Sequence, residues 1–230
     1  MKDLTTFTLS VIQELEDEGR FGTAHVYRSM LRAFQRYWES EHPKNEIRMR
    51  KAFDIATIHK FERHLLERML KLNTMSTYLR MLRAVYNRAL LAGLTGYVPG
   101  LFKHVYTGID KTVKRALPLE IIKQLKELDL SLNPRLELAR DMFLFSFYTR
   151  GMSFIDMAQL TPSNLHGSTL IYRRQKTSQQ LHIKWEPAMQ EIVAKYKTDD
   201  SPYLLPIAKG EGAIFWRQYK NAYSRITKQL

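Results

Sequence analysis

The chain contains no cysteine. That excludes a disulfide scaffold, a cysteine nucleophile, an iron–sulfur cluster and a cysteine-ligated zinc. It also lacks any apolar run near the roughly 20 residues that a membrane-spanning helix needs. Its longest candidate, residues 142–148, is short and flanked by Asp141 and Arg150. Met1-Lys2-Asp3-Leu4 leads into no apolar secretory core, so the expected compartment is the cytoplasm. No Gly-Lys-Ser or Gly-Lys-Thr is present, which removes the phosphate-cradling loop of nucleotide hydrolases. Gly210-Glu211-Gly212 lacks the third glycine of a dinucleotide fingerprint. Gly151-Met152-Ser153 lacks the second glycine of a nucleophile elbow. The seven histidines are scattered, with no metal-ligand spacing, and no cofactor is expected.

Acidic residues are scarce as well. There are 23 against 36 Lys and Arg, giving a net charge of +13 over 230 residues. Before residue 116 the chain has 20 basic and 12 acidic residues; from there on it has 16 and 11. Both halves are basic, which points to one polyanion partner. At 44% hydrophobic the chain can still bury a core, in one large domain or two small ones.

The first hundred residues carry helical periodicity. Phe7, Val11, Ile12 and Leu15 mark one helix, with Gly19 as its stop. Thr23 is placed as the cap of a second helix, Asp54 of a third and Thr74 of a fourth, which Gly93 ends. Four amphipathic helices make a bundle. On the fourth, Ser76, Arg80, Arg83 and Asn87 fall four, three and four apart and share a stripe. From Arg68 to Ile109 no acidic residue occurs, against six basic ones. Such a face is either a solvated surface or a set of donors for phosphates and base edges, and DNA contact is the preferred reading. Residues 101–115, ending in the basic run Lys111, Lys114 and Arg115, read as a linker. Lys114 and Arg115 are candidate DNA contacts.

The second half is mixed. Helices are expected over 119–128, from Asn133-Pro134 to about Tyr148, from Glu186-Pro187 onward and from Gly212. Thr169–Arg174 and Gln180–Trp185 read as an antiparallel hairpin with a polar tip. Tyr219 and Tyr223, at helical spacing, read as core. The fold class is therefore mainly α, with a small antiparallel sheet. Residues 1–100 read as a helical domain with a basic face preferred for DNA contact, and 116–230 as a mixed region of helices with a small antiparallel sheet.

Three features now occur in order: a basic bundle; Tyr148-Thr149-Arg150-Gly151-Met152-Ser153-Phe154-Ile155-Asp156 after an apolar helix; and Tyr172-Arg173-Arg174-Gln175-Lys176-Thr177 in the hairpin. This order resembles the tyrosine recombinases, or phage integrases, and more narrowly those of Bacteroides-type mobile elements. The resemblance implies a SAM-like core-binding bundle followed by an integrase catalytic domain. It implies site-specific DNA integration through a 3′-phosphotyrosyl intermediate, without metal or cofactor. The partners would be double-stranded DNA and, on paired sites, three further protomers in a tetramer.

The same resemblance assigns roles. Lys176 matches the hairpin lysine that protonates the leaving 5′-oxygen. Gly151, Met152 and Asp156 match the family's Thr-Gly-Leu-Arg-x-x-acid pattern, which leaves Ser153 where the first catalytic arginine usually stands. A serine cannot neutralise phosphate charge, and a pentacoordinate phosphate needs fixed cations. Arg174 is the preferred replacement: if the strand continues past it, Arg174 and Lys176 share a face. Arg150 is the alternative, or else it pairs with Asp156 and holds the turn. Asp156 reads as an orienter. The His-x-x-Arg box and the nucleophilic tyrosine follow, in that family, a helix like the one from Gly212. His25-Val26-Tyr27-Arg28 matches the box by spelling only, since it lies in the first bundle. Neither feature follows the helix from Gly212 within these 230 residues, so the chain reads as a recombinase without its C-terminal catalytic third, a monomer off DNA that binds duplexes but does not cut them. Two other readings stand: a non-catalytic, degenerate integrase acting as a DNA-binding accessory, and a helical RNA-binding protein.

Overall fold

The computed structural model describes residues 3–43, 46–113 and 116–229. The chain divides into two compact units, residues 1–114 and 115–230.

The first unit holds α1 (Leu4–Asp17), α2 (Phe21–Glu41), a short α3 (Met49–Ala52), α4 (Ile55–Glu67) and α5 (Leu72–Leu91). Asp3 starts α1 by accepting the Thr6 amide at 2.8 Å, and Asp54 starts α4 by accepting the Thr57 amide at 3.2 Å. Each bond satisfies one amide that the helix itself cannot pair. Two expected caps lie elsewhere. Thr23 is inside α2, whose N-cap is Arg20, because the Arg20 carbonyl already accepts the Ala24 amide. Thr74 is inside α5, whose N-cap is Lys71, because Thr74 and Met75 both donate to the Lys71 carbonyl. In each case the backbone emerging from the preceding turn is already helical before the hydroxyl residue is reached.

The apolar stripes of these helices face one core. Phe34 and Phe61 meet edge to face at 4.9 Å, and Phe53 meets Tyr86 at 5.0 Å. Full burial of a phenylalanine contributes roughly 1.5–3 kcal/mol. The segment expected to be a linker is partly core. Leu101, Phe102 and Val105 are buried in the same cluster. The Tyr86 hydroxyl accepts the Val98 amide at 2.8 Å, and a Glu62 carboxylate oxygen accepts the Tyr106 amide at 2.6 Å. Further on, the Asn73 amide group brackets Asp110, donating to its carbonyl and accepting its amide. Gly96, Pro99, Gly100 and Gly108 mark residues 96–110 as irregular, which they are, but irregular backbone also packs once side chains satisfy its amides.

The second unit holds α6 (Leu119–Glu127), α7 (Pro134–Tyr148), α8 (Phe154–Ala158), a 3₁₀ turn, β1 (Leu165–His166), β2 (Thr169–Arg173), β3 (Gln180–Lys184), α9 (Pro187–Tyr196) and α10 (Gly212–Thr227). The expected hairpin is present, with Leu170 opposite Ile183 and Tyr172 opposite Leu181. A third strand, β1, joins its edge in the antiparallel order β1-β2-β3. At two residues β1 is too short for periodicity to reveal. The fold is thus mainly α with a small antiparallel sheet. Alternation puts Leu170, Tyr172 and Ile183 on the buried face, against α7, α9 and α10 residues such as Phe145, Met189 and Phe215.

One polar cluster sits in this core. Asp141 on α7 is buried and accepts from Lys195 and from the Tyr196 hydroxyl on α9, both at 2.8 Å. Arg140 donates to the other Asp141 oxygen at 2.8 Å and to the Leu128 carbonyl. The cluster ties α9 and the α6–α7 loop to α7. Among the described residues no helix is long and apolar enough to cross a membrane.

Candidate functional site

The turn after α7 is built from hydroxyls and left-handed backbone. Thr149 is buried and donates to the Phe145 carbonyl at 2.7 Å. Arg150 and Gly151 follow at φ +58° and +80°, and the Ser146 hydroxyl donates to the Met152 carbonyl at 2.9 Å. The reversal exposes the Arg150 side chain and brings Ser153 to the head of α8. Glycine fits φ > 0 without cost; arginine does not.

Ser153 is the N-cap of α8. Its hydroxyl donates to Asp156 Oδ2 at 2.6 Å. The other oxygen, Asp156 Oδ1, accepts the backbone amide of Gln175 at 2.9 Å. Asp156 is only 4% exposed, so both bonds form out of water, where a carboxylate left unpaired is costly. Among the described residues Arg150 makes no ion pair with Asp156, whose two oxygens accept from Ser153 and Gln175.

Gln175 lies in the hairpin turn, and this corrects the geometry expected for Arg174 and Lys176. The strand ends at Arg173, and residues 174–179 form a closed turn. Arg174 donates to the Gln179 carbonyl and accepts the Ser178 amide, both at 2.8 Å. Alternation along a strand therefore does not relate Arg174 to Lys176. Lys176 stands exposed on the turn one residue past the amide that Asp156 holds. Arg174 sits half-buried beside the Tyr172 hydroxyl. Burial, with the nearby Asp156 charge, raises the Tyr172 pKa, and Arg174 opposes that rise. Arg150 at the turn after α7, and Arg174 and Lys176 at the hairpin, are thus carried by two segments that flank Asp156.

In the first unit the α5 stripe is only partly exposed. Arg80, Arg83 and Asn87 are exposed. Ser76 is not: it is 3% exposed, and its hydroxyl has no partner. It cannot reach a phosphate, because the first turns of α5 roll that edge of the stripe into the bundle. Arg88, on the neighbouring row, is engaged by Glu14 at 3.0 Å. Lys114 and Arg115 lie outside the described residues.

A second helix has the same residue types and was missed. From Gly212 to Leu230 no acidic residue occurs. Arg217, Asn221, Ser224 and Lys228 on α10 are exposed and spaced four, three and four apart. The spacing rule that marked α5 finds them too. On the opposite side Tyr219 packs among Phe154, Phe215 and Trp216 at 5.2–6.3 Å between ring centres. Burial, with Tyr223 and Asp156 nearby, raises its pKa. Tyr223, expected in the core, is 43% exposed at the edge of this cluster.

Residues 3–99 match the phage integrase SAM-like domain. That match covers 97 of the 230 residues, all of them within the first unit. Among solved integrase structures, a lambda integrase dimer bound to a COC′ core site is 13% identical with a TM-score of 0.62, over 98% of this chain and 82% of that one. A lambda integrase tetramer bound to a Holliday junction is 14% identical with a TM-score of 0.62, over 100% and 67%. The integrase of the Tn1549 transposon, in complex with a circular intermediate DNA, is 12% identical with a TM-score of 0.53, over 100% and 79%. At these identities the likeness to the integrases is one of fold. No curated protein matches the sequence.

Proposed function

We propose that this chain is the DNA-gripping and phosphate-activating part of a site-specific recombinase. The observation that carries the reading is the bracket at Asp156, which fixes the turn bearing Arg174 and Lys176 beside the α7–α8 turn bearing Arg150. In this reading the exposed faces of α5 and α10 hold phosphates and base edges of duplex DNA. Lys176 protonates the departing 5′-oxygen. Arg174 supplies the guanidinium that Ser153 cannot, with Arg150 as the second candidate. Cations fixed before the reaction stabilise the extra charge of a pentacoordinate phosphorus without reorganising. Arginine forks match two phosphate oxygens at once. This reading assigns the nucleophile to none of the tyrosines described above, so the chain binds duplex DNA and forms no covalent link to it. One lambda integrase that resembles it in fold is a tetramer bound to a Holliday junction, and in this reading the active assembly is likewise a tetramer on paired DNA sites.

Binding to duplex DNA and to structured RNA across a salt series tests the reading. The expected result is preference for the duplex, with log affinity falling steeply against log salt as several phosphates release counterions. Preference for RNA, or a flat salt dependence, overturns it. Incubation with a nicked suicide substrate tests the second part, where the expected result is no covalent adduct.

One observation favours a non-catalytic DNA-binding accessory: the hydroxyl of Ser153 is spent on Asp156, so the usual arginine position contributes nothing to a phosphate. Fusing the nucleophile-bearing C-terminal segment of a related integrase to this chain separates the two. Cleavage that depends on Lys176 and Arg174 supports the enzyme.

A further inference from the structure

Among the described residues, three other than glycine hold a positive φ: Met69 at +55°, Arg150 at +58° and Ser178 at +56°. Ser178 closes the turn of the hairpin and Arg150 stands at the turn before α8, so two of the three flank the candidate catalytic site. Met69 stands in the other unit.

The helix ends make the comparison direct. Four helices finish on the same two backbone bonds. In α1, Gly19 donates to Glu16 and Arg20 to Leu15; in α5, Gly93 donates to Leu90 and Leu94 to Ala89. In α4, Met69 donates to Leu66 and Leu70 to Leu65; in α7, Arg150 donates to Phe147 and Gly151 to Ser146. The residue after the helix must turn left-handed, and glycine does so without a Cβ clash. This chain uses glycine there twice. It departs from glycine at Arg150, a candidate for binding phosphate, and at Met69. Strain of this kind persists where the side chain is used.

The side chain of Met69 is 90% exposed. Leu66 and Leu72, three residues to either side, are 51% and 39% exposed, so the α4–α5 turn ends in an apolar tip. Arg63, Arg68 and Lys71 lie within six residues of it along the chain and are exposed, with Glu67 the one carboxylate in that stretch. Among the described residues, the ion pairs of α4 are His59–Glu62 and Lys60–Glu41, which leave those three cations unpaired. An exposed apolar point flanked in sequence by free cations fits a polyanion with an apolar interior that a side chain can enter between its stacked layers. Duplex DNA is that partner: the cations meet phosphates, and a flexible apolar side chain enters between base steps and kinks the helix.

We propose that Met69 is a wedge that unstacks a base step and bends DNA at the core-binding unit. This rests on the reading that the chain binds duplex DNA. The test uses the 230-residue protein, a short duplex with a fluorophore at each end, and the variants Met69→Gly and Met69→Ala. Wild type brings the ends together on binding. Both variants bind about tenfold more weakly and leave the duplex straight, because the unstacked step has lost its filler. A duplex already kinked by an unpaired bulge restores most of the lost affinity. Met69→Gly also raises Tm by about 2–4 °C, since glycine relieves the left-handed strain, while Met69→Ala does not. The loss of bending therefore comes with a fold at least as stable. Equal bending and affinity in all three proteins overturns the wedge. A wild type that binds no duplex at all overturns the DNA-binding reading instead.

Discussion

The backbone amide of Gln175 donates to Oδ1 of Asp156 across 2.9 Å, between the tip of a hairpin and the head of a helix 19 residues earlier. A catalytic lysine on a free hairpin tip would sample many positions. Here the residue before Lys176 is fixed to a carboxylate that is itself fixed by Ser153. In the proposed reaction Asp156 would act as a positioning residue, holding Lys176 through the backbone.

Asp156→Ala should free the hairpin turn. It leaves the Gln175 amide without its acceptor and costs about 1–3 kcal/mol. Hydrogen exchange should rise at Gln175 and across residues 174–179 while β2 and β3 stay protected. Unchanged exchange in the turn would show that the bracket does not hold it.

Arg80→Ala and Arg83→Ala should weaken duplex binding, each lowering the salt slope by about one unit for the phosphate contact it removes. Ser76→Ala should leave affinity unchanged and stability unchanged or raised, since its buried hydroxyl has no partner to lose. Fluorescence anisotropy over a salt series checks all three.

Arg150→Gly should stabilise the second unit by about 1 kcal/mol, because glycine takes the left-handed position without a clash. If Arg150 faces the phosphate, the same variant should bind DNA less well. Thermal melting and anisotropy on one preparation give the two signs together.

The pH dependence of stability should differ at the two ends. Burial raises the Asp141 pKa, but hydrogen bonds from Lys195, Arg140 and Tyr196 outweigh it, and the net shift is downward from 3.8. Its stabilisation is complete above the ordinary value and is lost as pH falls through the lowered one. At the alkaline end, burial, with Glu41 and Asp54 nearby, raises Tyr37 from 10.0 to about 12. The native state keeps that phenol neutral, so its contribution is present below pH 10.0 and is lost as pH rises towards about 12. Chemical denaturation across pH should show Asp141→Asn flattening the acid limb and Tyr37→Phe flattening the alkaline one.

Much of the fold was legible because it rests on periodicity. The stripe of Ile58, Phe61 and Leu65 is buried as its spacing demands, and Leu170, Tyr172 and Ile183 alternate into the core as a half-buried strand must. Asp54 and Asn133 cap their helices as short polar acceptors do. Thr23 and Thr74 misled because a helix start depends on where the previous turn leaves the chain. Ser76 misled because the spacing of a stripe says which residues share a face, not which edge of that face the next helix covers. Arg174 misled because a strand read from propensity was extended one residue into a turn, and period 2 fails there.

The sequence alone determined what needs only neighbours along the chain: the helices, the hairpin, the basic faces free of acid, and the residue types able to meet a phosphate. Tertiary structure alone decided what needs partners far apart in sequence. It joined Asp156 to Gln175, closed residues 101–110 onto the first core, buried Ser76 and left Met69 strained and exposed. Local pattern fixes which way a side chain points from its own helix or strand. Only the packing of one segment on another determines whether that direction ends in water, in core or against a buried carboxylate.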